Sequence, residues 1–287
     1  MIYNLGSINA DHVYRVAHLP DAGETVTAQG YVWALGGKGA NQSMAVARAG
    51  GQVVHIGAVG VDGDWMVVEL ADAGVDVRHV GRGSGVSGHA VVTVEDSGEN
   101  AIVIHAGANR ALRLEHIEAA LATAGPSDWL LMQNETNLQA EAAQMARAKG
   151  LRIACSAAPF DVAAVRAVLP HVTLLMLNEG EAAQMGREMG EVQVPMLCVT
   201  RGARGVVWKE ADRDEPVTIP APEVVPVDTT GAGDTFAGYL VAGLAAGLKP
   251  DSALRRAVCA AAIAVTRPGA SEAIPMADEV AAMLAQE

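Results

Sequence analysis

Short apolar runs, each the length of one buried strand, alternate along this chain with helical patterns, and that alternation constrains the fold more than any other feature. Val53–Val59 reads as a strand followed by a helix over Asp62–Ala73. Trp129–Gln133 reads as a strand followed by an Ala-rich helix near Leu138–Lys149, and Arg152–Ser156, Leu174–Leu177 and Met196–Thr200 repeat the strand signal. Strands that are continuously apolar must be covered on both faces, and helical crossovers between them make right-handed βαβ units. The expectation is an α/β fold: a mainly parallel central sheet between two layers of helices, built as one domain over residues 1–287.

Two stretches break the rhythm. Residues 8–35 contain no helical pattern, only extended segments around the Pro20-Asp21-Ala22-Gly23 turn. Residues 88–105 alternate side chains about Asp96-Ser97-Gly98 and read as a hairpin. Together they are expected to form a small antiparallel sheet, placed as a lid over a ligand site at the carboxyl ends of the parallel strands.

Charge removes several function classes. With 33 acidic and 20 basic residues the formal net charge is −13, which excludes a general nucleic-acid binder relying on a basic face and disfavours an anionic membrane surface. The longest notable uncharged stretch, Thr235–Leu248, has 14 residues, short of the ~20 needed to span a bilayer. The amino terminus has neither the charged nor the long apolar region of a signal peptide, so a cytoplasmic protein is expected. Cys155, Cys198 and Cys259 form no CxxC pair and read as buried small hydrophobes. The eight histidines show no metal-ligand spacing, and Met185, Met189 and Met196 read as core filling.

Two glycine-rich strings carry the chemistry. In Asp228-Thr-Thr-Gly-Ala-Gly-Asp234, ahead of a helix over roughly Thr235–Gly247, Gly231, Ala232 and Gly233 let backbone N–H groups converge on one point at a helix amino terminus, which makes an anion hole. Asp234 stands where a general base for phosphoryl transfer is wanted, or serves as the helix N-cap. In Gly36-Gly37-Lys38-Gly39-Ala40-Asn41-Gln42, read as leading into a helix from Ser43, the glycines allow close backbone approach, and Lys38 and Asn41 present donors to hydroxyl oxygens. Neither the spacing of a Walker A loop nor a dinucleotide fingerprint is present.

In this order and nearly 190 residues apart, GGKGAN and DTTGAGDTFAGYL resemble the two signatures of the PfkB carbohydrate-kinase family, ribokinase branch. The likeness extends to LGSINADH, PDAGETV, GENAIVIHAGAN, LLMQNE and AAAIAVTRPGA, and so to most of the chain. It implies a ribokinase-like three-layer fold and an ATP-dependent sugar kinase acting on a primary hydroxyl of a pentose, D-ribose above others. By the same resemblance Asn9, Asp11, Gly37, Lys38, Asn41 and Glu135 contact the sugar, and Asp234 is the catalytic base. Asn178, Thr200, Gly202, Arg204, Gly205 and Gly233 lie on the nucleotide side, with Glu181 reaching Mg²⁺ indirectly. Asp228, Thr230, Ala264, Arg267, Gly269 and Ala273 would surround a monovalent cation such as K⁺. A homodimer through the lid is implied as well.

Two departures fall on the nucleotide half. Asn178 and Thr200 are 22 positions apart, room for one short helix where the family pattern has an additional one. Ser156-Ala157-Ala158-Pro159 stands where the family often shows Asn-Pro-Ala-Pro. Two other readings stay open: a kinase for a nucleoside or ketohexose, with Tyr14, Tyr31 and Trp33 as walls for a base, and a catalytically weak sugar- or nucleotide-binding regulator.

Overall fold

The computed structural model describes residues 1–95 and 99–286. Nine strands form the main sheet: β1 (Ile2–Leu5), β4 (Val53–Val59), β5 (Asp76–Arg82), β8 (Trp129–Gln133), β9 (Arg152–Ser156), β10 (Leu174–Asn178), β11 (Met196–Thr200), β12 (Val206–Glu210) and β13 (Val217–Ile219). Their spatial order is β13-β12-β11-β10-β9-β8-β1-β4-β5. Pairing is parallel from β5 through to β11, and only β12 and β13 add antiparallel partners at one edge.

Strand alternation sends side chains into two cores. Ile2, Trp129 and Leu131 face α1 (Lys38–Arg48), α2 (Asp64–Asp72), α7 (Ala232–Ala245), α8 (Pro250–Ala264) and α9 (Ala277–Leu284). Tyr3, Leu5, Leu130 and Met132 face α3 (Leu114–Ala120), α4 (Gln139–Ala148), α5 (Val162–Val168) and α6 (Glu179–Met189). The central strands carry large apolar residues with under 2% exposure, Trp129 and Ile2 among them, each worth about 1.5–3 kcal/mol of transfer free energy. The expected strands appear, with β10 one residue longer than anticipated. A single helix, α6, connects β10 to β11, so the shortened crossover still returns the chain in parallel register. All three cysteines are buried; burial pushes the Cys155 thiol up to about 12 and Cys198 up likewise. Met185, Met189 and Met196 pack in the cores. Among the described residues no helix is long and apolar enough to cross a membrane.

The two irregular stretches form a separate four-stranded sheet of β2 (Asn9–Val16), β3 (Gly30–Gly36), β6 (Gly88–Glu95) and β7 (Asn100–His105), in the order β3-β2-β6-β7. Its β2/β3 and β6/β7 pairs are antiparallel, as expected, and the two pairs are joined through β2 and β6, which run parallel. The β6–β7 turn expected at Asp96-Ser97-Gly98 lies outside the described residues.

Two helix starts differ from expectation. The first glycine string enters α1 at Lys38 and not at Ser43, because Gly37, with φ +90°, turns the chain directly into the helix. The second enters α7 at Ala232, with Gly231 as N-cap. Gly231 has φ +73°, a left-handed conformation that a side chain disfavours. Asp234 is therefore in the first turn of α7 and is not its cap.

Candidate active site

The carboxyl ends of β1, β8, β10 and β11 converge on one cleft. On one side, β1 delivers Ser7 and the start of β2, β8 delivers Glu135, and β3 delivers the α1 amino terminus. Ser7 Oγ donates to Glu135 Oε2, which also accepts the Lys38 amide at 3.2 Å. Asn9 is 5% exposed and its Oδ1 accepts from Asn109 Nδ2 at 2.7 Å, while Asn109 Oδ1 accepts the Ile8 amide at 2.9 Å. Asn109 thus fixes how Asn9 is presented, a contact across 100 residues that no local pattern announces. Asp11 follows on the same face of β2. Burial, and then the charges of Glu135 and Glu272, push its carboxyl up to about 7.

Asp234 lies where this polar group meets the amino terminus of α7. It is 7% exposed, and it accepts Gln42 Nε2 at 2.9 Å and Asn41 Nδ2 at 3.3 Å. The Lys38 ammonium stands among carboxylates; the Asp234 charge leads in raising its proton affinity, against the opposing effect of burial, with Glu135 and Glu181 adding to it. The Gly233 amide, in the first turn of α7, has no hydrogen-bond partner among the described residues, whereas the Ala232 amide turns back to Thr229 O at 3.3 Å. A positive helix end with an unpaired amide beside a lysine is suited to a phosphate.

Two adjoining cavities extend from this point. The first, about 600 Å³, is lined by Lys38, Asn178, Glu181, Thr200, Gly231 and Asp234 among others. The second, about 590 Å³, shares Thr200, Gly202, Thr229, Gly233 and Phe236 with it and is otherwise walled by small apolar residues, notably Val224, Pro226, Val258, Ala261 and Val265. Its mostly apolar lining, which ends at the amino terminus of α7, is of a kind that accepts a flat aromatic ring. Thr200, Gly202 and Gly205, expected on the nucleotide side, line this cavity, together with Val224, Pro226 and the α8 face, which no local pattern announces.

Other expected residues are placed less simply. Asn178 and Glu181 form a reciprocal capping box on α6: Asn178 Oδ1 accepts the Glu181 amide at 2.9 Å, and Glu181 Oε2 accepts the Asn178 amide at 2.7 Å. Burial nevertheless pushes the Glu181 carboxyl up, against the Asn178 hydrogen bond and the Lys38 charge. Arg204 pairs with Glu179 and lines neither cavity. The Asp228 carboxylate accepts the Thr230 amide at 2.9 Å and the Gly269 amide at 3.0 Å. Burial opposes its ionised form, but the Thr230 and Gly269 hydrogen bonds outweigh burial and hold the carboxyl below its usual range. Arg267 turns its guanidinium to Glu279 and its amide to Ala264 O at 3.0 Å, and Ala273 is buried. No group of three or more His, Cys, Asp or Glu suited to a metal occurs among the described residues.

Register settles the aromatic residues of the small sheet. Asp11 opposes Ala34, whereas His12 opposes Trp33 and Tyr14 opposes Tyr31, so the aromatics occupy the face opposite Asp11. Tyr31 hydroxyl meets His12 Nδ1 at 2.9 Å and Trp33 packs on Trp65 with ring centroids 4.3 Å apart. They do not wall a base beside the sugar-side residues, and the nucleoside reading loses its support.

Comparison with known proteins agrees with this geometry. Residues 1–277 match the family model described as pfkB family carbohydrate kinase. The ribokinase of Haemophilus influenzae is 37% identical over 294 residues, covering 96% of this chain and 95% of that one. Among solved structures, ribokinase from Cryptococcus neoformans in complex with ADP matches with TM-score 0.84 at 33% identity, covering 98% of each chain. Arabidopsis thaliana ribokinase complexed with ribose and ATP matches with TM-score 0.88 at 27% identity, covering 99% of this chain and 98% of that one. A full-length likeness of this kind, on a cleft whose apolar slot adjoins a polar cavity lined by the buried Asp234, identifies the group: the chain belongs to the PfkB family of carbohydrate kinases.

Proposed function

We infer that this protein phosphorylates D-ribose, moving the γ-phosphoryl group of ATP to the primary hydroxyl and giving D-ribose 5-phosphate and ADP. The observation that carries the reading is Asp234, held between the sugar-side polar group and the phosphate end of the nucleotide cleft.

In the proposed reaction Asn9, Asp11, Lys38, Asn41 and Glu135 hold the sugar hydroxyls, with the Gly37 backbone beside them. The primary hydroxyl gives its proton to the Asp234 carboxylate as its oxygen bonds to the γ-phosphorus. The bond from that phosphorus to the β–γ bridging oxygen breaks, and its electron pair leaves with ADP. The amides of Gly231 and Gly233, together with Lys38, stabilise charge on the transferring group, while the Ala232 amide, expected beside them, is turned back to Thr229 O. Asn178, Thr200, Gly202 and Gly205 line the path of the nucleotide; the guanidinium of Arg204 is held outside it by Glu179.

Glu181 is a half-buried carboxylate beside Lys38 and Asp234, a donor suited to a hard cation. Mg²⁺ needs few protein ligands when phosphates and water supply the rest, and bound there it would spread the triphosphate charge. The Asp228 carboxylate, with Thr230 and Gly269 around it, is suited to K⁺. The small sheet, from residues 8–35 and 88–105, acts as the lid of a single 1–287 kinase domain and excludes water from the reaction. Its exposed apolar residues, Val32, Ile102 and Ile104 among them, suit pairing with a second copy, and the assembly would work in the cytoplasm.

ADP release measured over pentoses, hexoses and nucleosides, with and without K⁺, tests the reading. Ribose should give the highest kcat/KM. A nucleoside in that place, or ligand binding with no turnover on any acceptor, would overturn it.

A further inference from the structure

Asp234 stands at the end of a buried chain of side chains whose hydrogens have only one consistent arrangement. Strand alternation sends Asn4 of β1, His55 of β4 and Gln133 of β8 toward α1, and Asn4 and His55 are register partners. All three, with Gln42 and Ser43 of α1, have no solvent exposure.

Two backbone carbonyls, which only accept, fix the direction. His55 Nε2 lies 3.2 Å from Gly6 O, so that nitrogen carries the ring proton. Burial pushes His55 down to about 4, so the ring is neutral and Nδ1 is an acceptor. Ser43 Oγ lies 2.8 Å from Nδ1 and donates to it, and it accepts from Asn4 Nδ2 at 2.8 Å. The second Nδ2 hydrogen of Asn4 goes to Gly39 O at 2.8 Å. Asn4 Oδ1 is thereby left to accept from Gln133 Nε2 at 2.9 Å. The other Nε2 hydrogen of Gln133 meets Gln42 Oε1 at 2.7 Å. Gln42 must then turn its Nε2 donor toward Asp234 Oδ1, at 2.9 Å.

Flipping any one amide would set two acceptors or two donors against each other. Gln133 Oε1 is buried without a partner, a cost that a purely structural packing would not need to carry.

We propose that Gln42 is a positioning residue for phosphoryl transfer, its amide locked by Gln133 and Asn4 so that Asp234 Oδ1 stays engaged and Oδ2, which accepts only the longer 3.3 Å contact from Asn41 Nδ2, faces the acceptor hydroxyl. This rests on the reading of Asp234 as the base. The remaining charged groups around Asp234 are Lys38 of α1 and Glu181 of α6, with Glu135 and Asp11 one step further; none of them reaches into the amide chain.

Steady-state kinetics with ribose and ATP, with thermal melting in parallel, test the proposal. Gln42→Met should lower kcat by about 100-fold, the scale of a misplaced reacting group, while both KM values move by less than about threefold. Gln133→Met, which frees the Gln42 amide to rotate without removing it, should lower kcat by about tenfold. Gln42→Glu separates positioning from packing. When neutral, its hydroxyl donates to Asp234 and its carbonyl accepts from Gln133, as the amide does. When ionised, it sets two carboxylates against each other. Its kcat relative to the wild type should therefore fall as pH rises from about 6 to 9.

A Gln42→Met enzyme with near-normal kcat beside an inactive Asp234→Asn enzyme would overturn the proposal and leave the base assignment standing. Turnover by Asp234→Asn would remove the base assignment itself. If Gln42→Met does not fold, a flat kcat ratio for Gln42→Glu across pH overturns the proposal.

Discussion

The two halves of the cleft are built from different materials. The proposed sugar side is made of polar side chains that hold one another: Asn9 by Asn109, Glu135 by Ser7 and the Lys38 amide, and Asp234 by Asn41 and Gln42. The proposed nucleotide side is made of backbone, small apolar residues and a helix end, with Gly233 offering an amide and Val258 and Ala261 offering only surface. Directed hydrogen bonds discriminate among hydroxyl patterns because a missing partner leaves a buried group unpaired, whereas an apolar slot accepts any flat base of suitable size. Substrate selection should therefore reside on the sugar side, and mutations there should be the more severe.

The largest expected effect is at the junction of the halves. Asp234→Asn keeps the side-chain shape but removes the proton acceptor, and kcat should fall by roughly 10³–10⁴-fold with thermal melting little changed. Near-normal turnover would show that the two halves need no shared base. Next comes Gly36→Ala. A β-carbon there would lie 1.9 Å from Asp11 Oδ2, so Asp11 must move. Ribose KM should rise by about 100-fold, because a displaced acceptor loses its aim, while KM for ATP holds. Equal changes in both KM values would break the division.

Asp11 itself couples selection to pH. Its carboxyl, raised from 3.8 to about 7, binds a proton more tightly in the folded protein than in the unfolded chain. The folded state is therefore favoured most below about pH 4, and that advantage is lost as pH rises through about 7. Asp11→Asn should raise the melting temperature at pH 8 more than at pH 5, while raising ribose KM roughly 30-fold through loss of a charged acceptor. On the other side, Ala261→Phe should crowd the base slot and raise KM for ATP about tenfold, with ribose KM unchanged.

What was legible in the sequence follows the same division. Strands such as Val53–Val59 and Trp129–Gln133 emerged with their ends in place, because continuous apolar runs between turns have few other solutions. The glycine strings marked the two positive-φ turns, at Gly37 and Gly231, because such backbone angles demand a particular residue. The proposed base slot was not legible: Val224, Pro226 and Val258 look like any core or loop residues until the fold brings them together. Gln42 and Asn109 were equally silent, since their partners are 192 and 100 residues away. The start of α1 was hidden as well, because Gly37 and Gly39 read as a loop, although Gly37 caps the helix and Gly39 lets α1 lie against Gly6.

The smallest effect expected tests whether the Asn178-x-x-Glu181 pair is shape or chemistry. Both residues satisfy each other's backbone in the α6 capping box, so Asn178→Ala should cost about 1 kcal/mol of stability with kcat nearly unchanged. Glu181→Gln keeps an oxygen for the Asn178 amide and so preserves the cap, but it removes the charge that faces Lys38 and the proposed Mg²⁺. That variant should melt like the wild type yet need more Mg²⁺ for half-maximal activity. Thermal melting and Mg²⁺ titrations on the two variants separate the roles. If Asn178→Ala also raises the Mg²⁺ requirement, the cap is what aims the carboxylate, and even this backbone-dominated side of the cleft depends on one directed side chain.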